Sequence, residues 1–124
     1  RSAADIQEKK NDYVVFEIDG TVHASGALHD WGDGQGEIAA VAISPEYASL
    51  GIGRQIVSYL LNRAHRQGYR RVFVLTVQTH DWFEFLGFRE TSVETLPARK
   101  QNAYDRNRRS RVFALDIPPG GFAV

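Results

Sequence analysis

The sequence has no cysteine and no methionine, only four prolines in 124 residues, and no net charge, with fifteen basic residues against fifteen acidic ones. Without cysteine there is no disulfide, no thiolate-held zinc or iron–sulfur cluster and no thiol nucleophile. Such a chain fits a reducing, cytoplasmic compartment. Without net positive charge there is no global field to hold nucleic acid. No apolar run approaches the ~18 residues of a membrane span, and no secretory signal pattern opens the chain. The histidines His23, His29, His65 and His80 lack metal-binding spacing, so no metal is expected. The chain opens on Arg1 rather than methionine, and a preceding segment is therefore expected.

What is present has the composition of one folded domain: 43% apolar and 24% charged residues in a length close to the usual ~100–150. Ser2–Asn11 is polar, rich in helix formers, and reads as the end of a helix. Tyr13–Ile18 and Thr21–Leu28 are strands around Asp19-Gly20, a hairpin signal. Residues 30–36 (Asp-Trp-Gly-Asp-Gly-Gln-Gly) read as a loop. Glu37–Ile43 reads as a central strand buried on both faces. Ile52, Ile56, Val57, Leu60, Leu61 and Ala64 form one helical face, which Gly68 ends. Arg71–Thr76 is a buried strand, Asp81–Leu86 a short helix stopped by Gly87, and Phe88–Val93 a weaker strand. Pro97–Asn102 is a helical turn, Arg111–Ile117 a last strand, and Pro118–Gly121 a frayed tail. The fold class is thus α/β (α+β) with a mixed central sheet: one domain over 1–117, and a tail over 118–124.

The strongest local feature is strand, glycine turn, helix. Gly51-Ile52-Gly53 opens the long helix, and a glycine turn at a helix start lets backbone N–H groups face an anion such as a diphosphate. The same glycines also suit tight helix–strand packing. No Gly-Lys-Ser/Thr follows, so this is not a Walker loop. The third glycine of a dinucleotide fingerprint is absent too. Between Arg99 and Arg111 six cations face one acid, Asp105. Only Tyr104 is interleaved as an aromatic, which argues against nucleic acid.

Glu37-Ile38-x-x-Val41-Ala42-Ile43-x-Pro45-x-Tyr47-x-x-x-Gly51-Ile52-Gly53 resembles the acetyl-CoA-binding core of the GNAT superfamily of N-acetyltransferases, and Leu86-Gly87-Phe88 resembles its second motif. Within that superfamily, Val74-Leu75-Thr76, Trp82-Phe83, Gly87-Phe88, Leu96-Pro97, Tyr104 and Arg108-Arg109-Ser110-Arg111-Val112 resemble the acetyltransferase domain of the N-acetylglutamate synthase family, over nearly the whole chain. There are departures. Ala48 stands where the superfamily usually has Arg or Gln, Phe83 where many members carry a Tyr acid, and Asp81 where His is expected, with His80 one place away. The superfamily's first strand and first helix would lie upstream of Arg1, as would a kinase-like domain.

The resemblance implies acetyl transfer from acetyl-CoA to the α-amine of L-glutamate, the first step of arginine biosynthesis. It places Glu37 as the base and the backbone N–H near Val41 at the oxyanion. Val41, Ala42, Ile43 and Phe83 line the cofactor. The N–H groups of Ala48, Ser49, Leu50, Gly51, Ile52 and Gly53, with Arg54, hold its phosphates. Thr76 is the candidate hydroxyl for the departing thiolate, with Thr79 and Tyr104 behind it. Arg108 and Ser110, two apart and on one side of an extended edge, would take a substrate carboxylate, with Arg1 as a further arginine. Trp31 either covers the site or anchors its loop. A homo-oligomer or an upstream kinase-like domain is the expected partner. Alternatives are another amine acceptor, or a module that binds acetyl-CoA or a partner without turnover.

Overall fold

The computed structural model describes residues 4–10, 12–76, 80–105 and 108–122. Among them, seven strands form one sheet in the order β1-β2-β3-β4-β5-β7-β6. They are β1 (Ala4–Glu8), β2 (Tyr13–Ile18), β3 (Thr21–Gly32), β4 (Gln35–Ile43), β5 (Arg71–Thr76), β6 (Arg89–Thr91) and β7 (Arg111–Asp116). The helices are α1 (Ile52–Arg66), α2 (His80–Phe85) and α3 (Ala98–Ala103). Every neighbouring pair is antiparallel except β4 and β5.

Two aspartate–glycine turns set the first hairpins. Asp19 and Gly20 (φ 49° and 82°) join β2 to β3, and Asp33 and Gly34 (φ 58° and 70°) join β3 to β4. Positive φ at both central residues matches the right-handed strand twist. The second hairpin corrects the loop expected over residues 30–36. The strands run to Gly32 and restart at Gln35, so Trp31 belongs to β3.

The opening segment is also corrected. Its described part is strand, not helix: Ile6 lies opposite Phe16 and packs on the core. Glu8 accepts a hydrogen bond from the Tyr59 hydroxyl (2.7 Å) and pairs with Arg63 (3.5 Å), both on α1. The bond to Glu8 raises the Tyr59 phenol above its ordinary pKa. A pairing partner outranks local helix propensity here.

Helix α1 buries the face expected of it, Ile52 to Ala64, against β2, β3 and β4. It ends as expected on Gly68 (φ 83°). The N–H groups of Gly68 and Tyr69 donate to the carbonyls of His65 and Ala64, each at 3.0 Å, which satisfies carbonyls that a helix end otherwise leaves unpaired. The opposite sheet face packs Phe73, Leu96 and Val112, joined by Trp31, Leu75 and Tyr104. The tail is not frayed through residue 122. Phe122 packs on the α1-side core, and a His65 ring nitrogen lies 3.3 Å from the Pro119 carbonyl. No helix among the described residues is long and apolar enough to cross a membrane.

Candidate active site

The site begins where β4 and β5 part. They pair over three rungs, Gln35–Arg71, Gly36–Val72 and Glu37–Phe73, and then separate. Burial of β4 on both faces therefore stops at Ile38, and Ala40 and Ala42 are exposed, unlike the fully buried strand expected. A bulge bends β4 at that point. Ala40 (φ 55°) and Val41 together face Gly26 alone on β3, and an extra residue on one strand kinks it away from its neighbour.

The fork is walled by Ile38 to Val41 on one side, Val74 to Thr76 on the other, and Phe83 of α2 across it. It continues past Val41, Ile43 and Trp82. Phe83 also packs edge-on against Trp82 and Phe88, with centroids 4.9 and 5.4 Å away. It is both core and lining.

The groove reaches the start of α1. A Cβ on Gly53 would lie 2.4 Å from Ile43 Cδ1 and 3.2 Å from Trp82 Cζ2, so this glycine permits close packing. Gly51 serves differently: it caps the helix at φ 78° with nothing near the place of a Cβ. The N–H groups of Ala48 and Leu50 close turns onto the carbonyls of Pro45 (3.3 Å) and Tyr47 (3.1 Å). Those of Ser49, Gly51, Ile52, Gly53 and Arg54 make no backbone hydrogen bond among the described residues. With no acid and no side-chain cap in that first turn, four successive amides and the helix dipole favour an anion. Gly51→Ala is expected to cost about 1–2 kcal/mol through left-handed strain, and Gly51→Asn less. Urea denaturation reads both.

Glu37 lies on the other face of the sheet, at the root of the fork. Its side chain is 10% exposed. Trp31 Nε1–H donates to Oε1 at 2.9 Å, and Lys100 Nζ lies 3.0 Å from the same oxygen. The Lys100 ammonium also sits 4.6 Å over the Trp31 ring, with the Arg99 guanidinium 5.4 Å from it. Trp31, expected either to cover the site or to anchor its loop, instead lies in β3 and holds Glu37 through its indole N–H. Lys100, read only as one cation of a basic segment, is part of the site.

Thr76, alternating with Leu75, points to the α2 side, is buried and lines the fork beside Phe83. It pairs with Arg111, which brings the preceding residues to the end of β5. Arg108 and Ser110 are not in an extended strand as expected. Arg109 is left-handed (φ 54°), and the Arg108 N–H bonds the Asp105 carbonyl at 3.2 Å. They stand on a turn, which the Tyr104 hydroxyl braces by donating to the Ser110 carbonyl. Arg108 is exposed at this turn, and Arg54 is exposed on α1. Ala42 lies on the outer side of β4 with His23 and Ser25. Arg1 and Thr79 lie outside the described residues, as does the side chain of His80.

Residues 2–88 match the Acetyltransferase (GNAT) family. An amino-acid acetyltransferase of Pseudomonas fluorescens is 36% identical over 94% of this chain and 27% of its own length. One of Yersinia pseudotuberculosis is 32% identical over the same shares. The chain thus spans about a quarter of the length of these curated relatives. Among solved structures, N-acetylglutamate synthase from Neisseria gonorrhoeae, complexed with coenzyme A and N-acetyl-glutamate, superposes with a TM-score of 0.82 at 25% identity over 91% of this chain and 29% of that one. Rv2747 from Mycobacterium tuberculosis, in complex with CoA, gives a TM-score of 0.72 at 29% identity over 86% of this chain and 76% of that one. The chain belongs to the GNAT acetyltransferase family, and the mixed sheet expected from the sequence is the sheet observed.

Proposed function

We propose that this chain is the acetyl-transfer unit of an amino-acid N-acetyltransferase whose acceptor is L-glutamate, working in the first step of arginine biosynthesis in the cytoplasm. A homo-oligomer or a kinase-like domain would accompany it. The observation that carries the reading is the fork. It joins four unbonded amides at the start of α1 to a carboxylate at its root on the opposite sheet face.

The residues present suit acetyl-CoA, which supplies an activated acetyl thioester. The apolar walls of Ile38, Val41, Val74 and Phe83 suit a pantetheine arm. The amides of Gly51 to Arg54, with the Arg54 side chain, suit its diphosphate. The amine of L-glutamate arrives as an ammonium, with a pKa of about 8 or higher, and must lose a proton before attack. Glu37 takes that proton, directly or through one water. The backbone N–H at Val41 faces the developing oxyanion. As the carbon–sulfur bond breaks, the Thr76 hydroxyl donates to the departing sulfur. Arg108 and Ser110 hold a substrate carboxylate, for which a guanidinium is the matching donor.

Release of free CoA thiol tests this, because the chain itself has no thiol to react with a thiol reagent. Release is expected from acetyl-CoA with L-glutamate. Release with lysine or ornithine alone would replace the acceptor. Thermal stabilisation by acetyl-CoA without release on any amine would make the chain a binding module.

A further inference from the structure

The ion pair of Lys100 and Glu37 is nearly buried, with side chains 14% and 10% exposed. Such a pair contributes little to stability compared with apolar residues of similar size, because both charges leave water. Folding therefore does not account for its position at the root of the fork. Its hydrogen bonding is also incomplete. Glu37 is the one hydrogen-bonding or ion-pair partner of the Lys100 ammonium among the described residues, though that group has three donors. Both Trp31 and Lys100 use Oε1 of Glu37, and Oε2 has no partner among the described residues.

We propose that this pair is the receptor for an α-amino-acid zwitterion, with Lys100 reading the α-carboxylate. The inference rests on the proposed transfer to L-glutamate. An α-amino acid carries its own opposite charges on one carbon, with nitrogen and carboxylate oxygen about 3 Å apart by covalent geometry. That separation equals the 3.0 Å between Lys100 and Glu37, so the two pairs fit head to tail. The α-ammonium meets Glu37, which is to take its proton. The α-carboxylate meets the free donors of Lys100. The Trp31 ring keeps the ammonium of Lys100 at the site while its indole N–H fixes Glu37. Arg108, on the separate turn at the end of β5, is left for the γ-carboxylate. An amine without a neighbouring carboxylate, on a polyamine or a protein lysine, would leave Lys100 uncompensated.

Two amides of glutamate separate the carboxylates. L-isoglutamine keeps the α-amine and γ-carboxylate and loses the α-charge, whereas L-glutamine loses only the γ-charge. Charge-assisted hydrogen bonds of this kind correspond to about 10- to 100-fold in kcat/KM, so wild type is expected to prefer L-glutamate over L-isoglutamine by that factor, and Lys100→Met to shrink the preference to about threefold or less. The preference for L-glutamate over L-glutamine should survive in the variant. A variant that keeps its discrimination against L-isoglutamine, or loses both preferences alike, overturns the inference while acetyl transfer to L-glutamate stands.

Should Lys100→Met not fold, the wild-type Trp31 indole N–H resonance, assigned by its loss in Trp31→Phe, decides the matter. It should move with L-glutamate and L-glutamine, and with L-isoglutamine only at about 10- to 100-fold higher concentration. Equal response to all three, or to none, overturns the inference. If no amino acid releases CoA, the proposed reaction fails, and the same titration still decides the zwitterion site by the same outcomes.

Discussion

Changing Glu37 to Gln is expected to lower kcat/KM for L-glutamate by about 10²- to 10⁴-fold, the range that a positioned general base contributes. The substitution is nearly isosteric. A glutamine oxygen still accepts the Trp31 indole N–H and can stay beside the Lys100 ammonium, so the geometry at the root of the fork is kept. What disappears is the ability to take the ammonium's proton. The loss should fall on kcat and on the KM for L-glutamate, whose ammonium Glu37 also meets, and not on acetyl-CoA, because the groove that suits acetyl-CoA lies on the other sheet face and does not include Glu37. The apparent affinity for acetyl-CoA should therefore remain. A second cost is structural. Lys100 would keep a neutral oxygen beside it but lose its counter-charge while nearly buried. Breaking such a pair outright costs about 3–5 kcal/mol, and a retained acceptor should keep the loss below that. Steady-state kinetics with both substrates varied, beside a urea melt of the same preparation, separates the two. An unchanged kcat in a folded Glu37→Gln protein would remove Glu37 from the chemistry.

Glu37 could be picked out in the sequence because it opens the central strand of a recognisable motif, but the groups that hold it could not. Trp31 stood in a stretch so rich in glycine that it read as loop, although Asp33-Gly34 carries the same turn chemistry as Asp19-Gly20, which was read correctly. A plain two-residue turn there pairs Gly32 with Gln35 and hence Asp30 with Glu37, which would put Trp31 on the opposite face from Glu37. The bulge between Asp30 and Gly32 is what brings His29 opposite Glu37 and Trp31 to its side. Lys100 had no such local signal. It reaches Glu37 from α3, on a segment set beside the sheet by Leu96 and Tyr104 packing with Phe73 and Val112. Long-range packing of that kind has no periodicity to read. Arg108 and Ser110 show a further limit. Spacing of two implies one face only in a strand, and a left-handed Arg109 breaks that premise. Helix α1 was legible from face to cap because its periodicity and its terminal glycines are both local.

That helix also carries the other large expected effect, at its contact with Gly26. A Cβ placed on Gly26 would lie 2.8 Å from Ile56 Cγ2, 3.1 Å from Leu60 Cδ1 and 3.7 Å from Val41 Cγ2. Ile56 and Leu60 are fully buried. Cγ2 is bonded to the Ile56 Cβ and cannot swing aside unless α1 moves. Gly26→Ala is therefore expected to cost about 1–3 kcal/mol by overpacking. Ile56→Ala should cost about 2–5 kcal/mol by leaving a cavity, a large share of the ~5–15 kcal/mol that holds a domain together. The double variant should be less destabilised than the sum by about 0.5–3 kcal/mol, because the alanine at 56 removes the methyl that obstructs the new Cβ. Binding should rank the single variants in the opposite order. The cavity variant can relax inward and leave the helix start in place. The overpacked one pushes α1 away from β3 only four residues beyond Ile52. CoA affinity by calorimetry is thus expected to fall more in Gly26→Ala than in Ile56→Ala, although the latter is the less stable protein. If affinity instead follows stability through the series, the close contact of α1 with Gly26 serves the core alone and does not position the amides of Gly51 to Arg54.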